Sequence, residues 1–243
     1  MQCRHEGDMR VVLTAPSNQS KNSTLDIIPT GWYDALMPSE TPPLRPSDAK
    51  AKLLDAATRL VREKGFSATS VDDLCRAAGV TKGAFFHHFK SKDALGVAAA
   101  DHWAKTTSAL FAAAPYHAPA DPLDRLFAYL DFRAELMAGG VPEFTCLVGT
   151  MVQEVHETSP AIRAACDASI TGHAETLAPD IAAALTAHDV TGIDPHGLAL
   201  HTQAVLQGGF ILAKAKGDPA VARQSVAYLK HYVALLCGAP VPA

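Results

Sequence analysis

The sequence lacks the features of secreted, membrane-spanning and disulfide-stabilised proteins. Its five cysteines are odd in number, spread between Cys3 and Cys237, and never spaced as CxxC, which argues against a disulfide framework and fits reduced thiols in a cytosol. No apolar run reaches the roughly 18 to 20 residues that a bilayer-spanning helix needs, and the N-terminus does not have the basic and then apolar order of a secretion signal. We therefore expect a cytoplasmic protein without a membrane partner.

Catalytic signatures are also missing. The sequence contains no HExxH, GxSxG or P-loop motif, and its 11 histidines include no Glu-x-x-His pair with the geometry of a metal site. His87 and His88 are adjacent, so they point to different faces of a helix and do not easily bind one metal ion. We predict no enzyme activity, no cofactor and no metal; an all-helical enzyme that uses the histidines is the less favoured alternative.

The chain is not basic as a whole, which limits how it could bind nucleic acid. Its formal net charge is -4, but residues 45–95 hold 10 Lys and Arg against 6 Asp and Glu, while the remainder is acidic. An architectural protein that coats DNA is expected to be basic throughout. The local excess instead favours a DNA-facing head on an acidic body.

The chain divides into three segments by composition and periodicity. Residues 1–45 scatter Pro, Ser, Asn and Thr among short apolar pieces without a sustained period, which indicates a flexible extension; Met37 is an alternative start. Residues 46–92 carry the basic excess, and residues 93–240 continue in a helical pattern. No stretch alternates apolar and polar residues as a strand does, so we predict an all-α protein with about nine helices.

Capping residues indicate where the first helices begin and end. Apolar positions recur at helical spacing after Pro46 until Gly65, which suits the left-handed position that ends a helix. Ser70 stands three residues before Asp73, a capping-box spacing that predicts a short helix from Val71 to Ala78. Thr81 and Ser91 are then expected to cap a third, short helix and a fourth, long one; the fourth ends before a proline-rich linker.

Three later helices are predicted to begin at proline. Ser159-Pro160, Asp194-Pro195 and Asp218-Pro219 each place a capping residue before a proline at the first helical position, where the missing N–H is tolerated. The second of these helices should run from Pro195 to Lys216. Pro179 lies inside the first of them and is expected to kink or split it.

The two short helices have the pattern of a helix-turn-helix. Such a pair crosses at a fixed angle, so its turn favours glycine and its facing sides need small and apolar groups, which Leu74, Ala78, Gly79, Val80 and Phe85 supply. The second helix would then read the major groove of DNA. Its exposed side offers no acidic residue and consists of Thr81, Lys82, Gly83, Ala84, Phe86, His87 and His88.

The stretch GFSATSVDDLCRAAGVTKGAFFHHFKSKDAL resembles the DNA-binding domain of the TetR/AcrR family of bacterial transcriptional regulators. The resemblance implies a homodimer with a three-helix DNA-binding domain at 46–92 and a larger helical domain at 93–240 for effector binding and dimerisation. It implies that Thr69, Ser70 and Lys92 contact phosphate and that Thr81, Lys82, Gly83 and Ala84 face the major groove. The family often has tyrosine where this chain has Phe86 and another aromatic residue where it has His88.

The same resemblance assigns roles to the body. The helices at 195–216 and 219–237 would form a four-helix dimer interface with their symmetry mates, because their apolar faces are larger than packing on the body requires. A two-fold dimer predicts an operator with an inverted repeat. Candidate residues for an effector pocket, chosen by residue type, are Trp103, Phe127, Met137, Phe144, Cys146, Met151, Glu154 and His173.

Cys146 heads the run TCLVGTMVQE, which is similar to a segment in family members that respond to electrophiles or oxidants. A thiol at a helix N-terminus has its thiolate favoured by the helix dipole, so its modification would release DNA; the alternative is a buried small apolar residue. We therefore predict a repressor that binds a palindromic operator and is released by a small-molecule or electrophilic effector. An activator or an effector-independent DNA-binding protein is the alternative.

Overall fold

A computed structural model describes residues 48–240, and these residues form ten α-helices, one 3-10 turn and no strand. The all-α expectation is therefore confirmed. The expected extension over residues 1–45 and the alternative start at Met37 lie outside the described residues. The helices are α1 (Asp48–Lys64), α2 (Val71–Ala78), α3 (Lys82–His88), α4 (Lys92–Ala112), α5 (Pro122–Glu135), α6 (Val141–Phe144), α7 (Leu147–Val155), α8 (Pro160–Ala187), α9 (Pro195–Lys216) and α10 (Ala220–Leu236).

The predicted capping signals of α2 and α3 are confirmed. The Ser70 hydroxyl accepts a hydrogen bond from the Asp73 N–H while the Asp73 carboxylate accepts one from the Ser70 N–H, which closes the capping box of α2. Gly79 ends α2 in the left-handed conformation, with φ of 64°. The Thr81 hydroxyl accepts from the Ala84 N–H and so caps α3. These local bonds set the bounds of the helix-turn-helix.

Two prolines lie within or beside helices whose course we predicted. Helix α8 runs without interruption through Pro179, so a split is wrong, while a kink there stays a prediction; Pro179 is exposed, where water can bond the carbonyl that it leaves without a donor. The α10 helix begins at Ala220, one residue after the predicted start at Pro219, but Pro219 has a helical conformation and the Asp218 carboxylate accepts a hydrogen bond from the Ala220 N–H, as a capping residue before Pro219 would. Ser159 precedes α8 as expected but makes no side-chain capping bond.

Helix α6 is a single turn that the sequence pattern did not predict. It follows Gly139 and Gly140, and the Glu143 carboxylate accepts a hydrogen bond from the Gly140 N–H. A glutamate three residues after a glycine is a weak signal without a serine or threonine at the cap.

Two hydrophobic clusters hold the helices together. One lies in the body, where α8 packs against α5 and α9 and α9 packs against α10. The other joins the first three helices to the body: Leu53, Leu74 and Phe85 belong to the same cluster as Met151 of α7 and Ile162 of α8. Apolar burial therefore continues from the DNA-reading segment into α7 and α8, across the boundary that we expect at residue 92. That boundary stays a prediction.

Candidate nucleic-acid interface and ligand cavity

The α3 helix is anchored by one side and open on the other. Phe85 is fully buried, and its ring lies 5.8 Å from that of Phe89. The Val80 N–H donates to the Cys75 carbonyl at 2.9 Å, which closes the turn between α2 and α3. Because these contacts fix the helix from its inner side, the orientation of its outer side is determined by packing.

The outer side of α3 presents most of the residues predicted to read DNA. Thr81, Lys82, Gly83 and His87 are exposed, and the Phe86 ring is 55% exposed, an unusual position for an aromatic side chain without a partner surface. Ala84 and His88 are partly buried. The structure thus brings these predicted residues together on one surface.

Lys82 pairs with a residue of α2 that no sequence signal indicated. Its Nζ lies 2.7 Å from a carboxylate oxygen of Asp72 in α2, and this ion pair raises the pKa of Lys82. Both side chains are exposed, so water and salt screen the pair. Lys82 therefore stays charged, and its exposed side chain can exchange Asp72 for an anionic partner.

Thr69 and Lys92 are placed differently from the expectation that they contact phosphate. The Thr69 side chain is buried, and its hydroxyl donates to the Gly65 carbonyl at 2.6 Å. The Lys92 Nζ donates to the carbonyls of Phe66 at 3.0 Å and Thr69 at 3.1 Å, and it lies 4.5 Å from the centre of the Phe66 ring. These two side chains therefore hold the α1–α2 loop in shape, whereas Ser70 remains exposed.

The effector candidates do not form one site. A cavity of about 230 Å³ lies between α7 and α9, and among the candidates only Cys146 and Glu154 line it. Cavities of this kind suit a small ligand rather than a drug-sized one. The residues around the cavity are Thr145, Cys146, Gly149, Thr150, Gln153, Glu154, Gln207, Phe210, Ile211 and Lys214.

The other effector candidates serve the hydrophobic clusters. Phe127, Met137 and Phe144 are buried in the body cluster, and Met151 is fully buried in the cluster shared with the first three helices. Trp103 is partly buried beneath the Arg62 guanidinium, whose carbon lies 5.3 Å from the ring centre. These positions favour a packing role.

His173 belongs to a partly buried polar group that packs among aromatic rings. Its Nε2 lies 3.0 Å from the Tyr129 hydroxyl, and its ring lies 4.4 Å from that of Phe111. Burial, together with the nearby positive charge of Arg133, lowers the pKa of His173 to about 3. His173 is therefore neutral at physiological pH and does not offer a cation to a ligand.

Cys146 combines the expected helix position with partners from a distant helix. It is the N-cap of α7, its Sγ accepts from the Gly149 N–H at 3.4 Å, and its side chain is partly buried. Lys214 of α9 lines the same cavity and donates to the Thr150 hydroxyl at 2.8 Å; burial lowers the pKa of Lys214. The buried Thr145 hydroxyl has no hydrogen-bond partner among the described residues. Sequence alone does not reveal this grouping, because no local signal connects residues more than 60 positions apart.

The α9 and α10 helices share an exposed apolar face. Not all apolar residues of these helices contribute to it: Leu198, Phe210, Val226, Leu229 and Val233 are buried within the chain, whereas Leu212 is exposed. The His201 and Tyr232 rings, 5.6 Å apart, connect the two helices at this face. The large apolar residues that these two helices leave exposed are Leu200, Ile211, Leu212, Tyr228, Tyr232 and Leu235, of which Ile211 also lines the cavity.

The part of the chain that the structure describes holds neither a membrane-spanning helix nor a metal-binding cluster. No helix between residues 48 and 240 is both long and apolar enough to cross a membrane. Within the same range, no group of three or more His, Cys, Asp or Glu side chains is arranged to hold a metal ion.

Known proteins match both halves of the described structure. The family model for bacterial regulatory proteins of the tetR family matches residues 53–99, and that for the tetracyclin repressor-like C-terminal domain matches residues 122–229. The transcriptional regulator AcuR of Cereibacter sphaeroides is 32% identical over 48% of this chain and 53% of its own length. The transcriptional repressor DhaR of Mycobacterium sp. (strain GP1) is 29% identical over 46% of this chain and 54% of its own length. The chain thus spans about half the length of these curated relatives. The crystal structure of the regulatory protein TetR from Rhodobacter sphaeroides superimposes with a TM-score of 0.67 at 26% identity, over 74% of this chain and 96% of that one.

Proposed function

We propose that this chain, which belongs to the tetR family of bacterial regulatory proteins, is a dimeric repressor that binds an inverted-repeat operator and releases it when a small molecule occupies the α7–α9 cavity. The expectation of a regulator rather than an enzyme is confirmed by the family. Repression is favoured because the DhaR relative is a repressor. An activator would bind DNA through the same surface.

The outer side of α3 carries the proposal. Thr81, Lys82 and Gly83 are exposed at the N-terminal end of a helix whose inner side is locked by Phe85, and small residues there allow close approach to base edges. Phe86 and His87 extend the same surface. Thr69 and Lys92 contribute to this surface indirectly, since they hold the loop that precedes α2 in shape.

The exposed face of α9 and α10 supports dimerisation. Leu235 is 79% exposed and Tyr228 is 65% exposed, so this face leaves large apolar side chains in water unless a second copy covers it. Homodimers usually bury the same patch on both subunits, which gives a two-fold axis and two copies of α3. A two-fold pair of reading helices matches an inverted repeat in DNA.

Operator selection tests the DNA-binding proposal. The full chain should enrich inverted repeats from a random oligonucleotide pool, and fluorescence anisotropy should then show that Lys82→Ala weakens binding to the enriched duplex by about tenfold. Lys105→Ala is the matched control, because Lys105 is an exposed lysine on α4. Failure to enrich any inverted repeat at moderate salt would refute the proposal.

Cys146 is the proposed point of attack for an electrophilic effector. Its thiol lies on the wall of the cavity, where a Michael acceptor that enters would form a thioether with it. N-ethylmaleimide should therefore release the operator from the wild-type chain and leave Cys146→Ser bound. Release that persists undiminished in Cys146→Ser would remove this thiol as the sensor and leave reversible binding in the cavity as the alternative.

A further inference from the structure

Glu154 lies at the junction between the ligand cavity and the DNA-reading head. It projects from the last turn of α7, where it lines the cavity, and one of its carboxylate oxygens accepts a hydrogen bond from the Ser67 N–H at 2.7 Å. Ser67 belongs to the loop between α1 and α2. One side chain therefore contacts both the proposed effector site and the segment that leads into the helix-turn-helix.

The α1–α2 loop leaves a space that this carboxylate fills. Gly65 adopts φ of +92°, and a β-carbon at this position would overlap the second carboxylate oxygen of Glu154. The carboxylate thus occupies the space that the absence of a side chain creates. The contact is specific, because it depends on both the backbone N–H of Ser67 and the missing side chain of Gly65.

Bonds at the other end of the loop connect it to α2. Lys92 binds the carbonyls of Phe66 and Thr69, and Thr69 is tied to Gly65. Ser70, the next residue, caps α2, and the turn at Gly79 joins α2 to α3. A displacement of residues 65–69 is therefore transmitted to the start of the helix pair, because a closely bonded segment shifts as a unit.

We infer that Glu154 is the positioning residue through which occupancy of the α7–α9 cavity alters DNA binding. A ligand in the cavity shifts the side chains along α7, the bond between Glu154 and Ser67 is lost, and the loop and α2 relax away from the operator-binding arrangement. The inference rests on the proposed function, since it assigns a route from the proposed effector site to the proposed DNA-binding surface.

N-ethylmaleimide coupled to Cys146 supplies a defined occupant for the test. Experiments use the full chain with Cys3→Ser, so that Cys3 does not compete for the reagent, and mass spectrometry verifies a single adduct at Cys146. Operator affinity is then compared before and after coupling in the parent, Glu154→Ala, Glu154→Gln and Glu157→Ala. Glu157 is the matched control: it is an exposed carboxylate three residues further on, and it does not line the cavity.

The expected results distinguish a signalling role of Glu154 from a purely structural one. Attachment of N-ethylmaleimide should weaken operator binding by about tenfold in the parent and in Glu157→Ala, but by less than about twofold in Glu154→Ala. Glu154→Gln retains an acceptor for the Ser67 N–H and should keep most of the effect. Hydrogen exchange at the Ser67 amide should accelerate when N-ethylmaleimide is attached to the parent, a change that a purely structural role of Glu154 does not require.

Two outcomes would overturn the inference, and they differ in what else they imply. If the adduct weakens DNA binding equally in the parent and in Glu154→Ala, Glu154 does not transmit the signal, while the cavity remains the proposed effector site. If the adduct leaves operator binding unchanged in the parent itself, then both the inference and the proposed role of the cavity fail.

Discussion

Replacement of Gly65 by alanine should destabilise the chain by more than its backbone conformation alone explains. A residue with a β-carbon in the left-handed region costs about 1–2 kcal/mol, and the reduced freedom of the unfolded chain returns about 0.4–1 kcal/mol. The new β-carbon would also displace the Glu154 carboxylate and break its bond to the Ser67 N–H, at a further cost of about 1 kcal/mol. We therefore expect a total loss of about 2 kcal/mol in the free energy of unfolding.

Gly79 provides the internal comparison. It also has a positive φ, of +64°, but a β-carbon there would meet no atom within 4 Å, so Gly79→Ala should cost only about 1 kcal/mol. Urea unfolding at one fixed protein concentration measures both variants, since the stability of the proposed dimer would depend on concentration. In a Glu154→Ala background, Gly65→Ala should cost no more than Gly79→Ala does. If Gly65→Ala and Gly79→Ala lose the same free energy of unfolding in the wild-type background, Gly65 does not provide the space that the Glu154 carboxylate occupies.

Three other changes test separate parts of the structure. Leu235→Glu places a charge on the most exposed apolar side chain of the α9–α10 face, so we expect sedimentation velocity to show the proposed dimer for the wild type and monomers for the variant. The pKa of His173 is lowered to about 3 in the folded chain, against about 6.5 in the unfolded chain. Between these two values the unfolded state binds more protons, so the free energy of unfolding should fall as the pH drops from about 6.5 to 3. His173→Gln should flatten this part of the urea-unfolding profile; an unchanged slope would contradict the assignment. Met151→Ala removes a fully buried side chain and should cost about 2–5 kcal/mol, and a loss below 1 kcal/mol would contradict its place in the core.

Helix bounds were predictable where they depend on neighbouring residues. The range of α2 follows from the Ser70 capping box and the left-handed Gly79, and that of α9 from Asp194 before Pro195; both were predicted to the residue. Such signals act over one turn of helix, so the sequence displays them directly. Pro179 shows the limit of local reasoning, since α8 continues through it while packed against its neighbouring helices.

The roles of individual side chains were harder to predict than the helices. Lys92 and Thr69 stand in a motif that suggests phosphate contacts, yet their polar atoms bond to loop carbonyls within the chain. Helical periodicity finds the apolar positions of α9 but does not tell which of them face the chain itself: Leu198 is buried, whereas Leu200 is exposed. These distinctions depend on tertiary packing, which no single helix encodes.

The cavity could not be predicted because it is a product of how α7 packs. Cys146 at its start borders both hydrophobic clusters, Met151 near its middle is buried with residues of α1 and α2, and Glu154 at its end reaches the α1–α2 loop. Each of these contacts is ordinary for a short amphipathic helix. Together they make α7 a shared wall of the cavity and of the helix-turn-helix segment, so we expect a shift of α7 on one side to change its contacts on the other. A ligand that displaces this nine-residue helix should therefore also move the loop that Glu154 contacts.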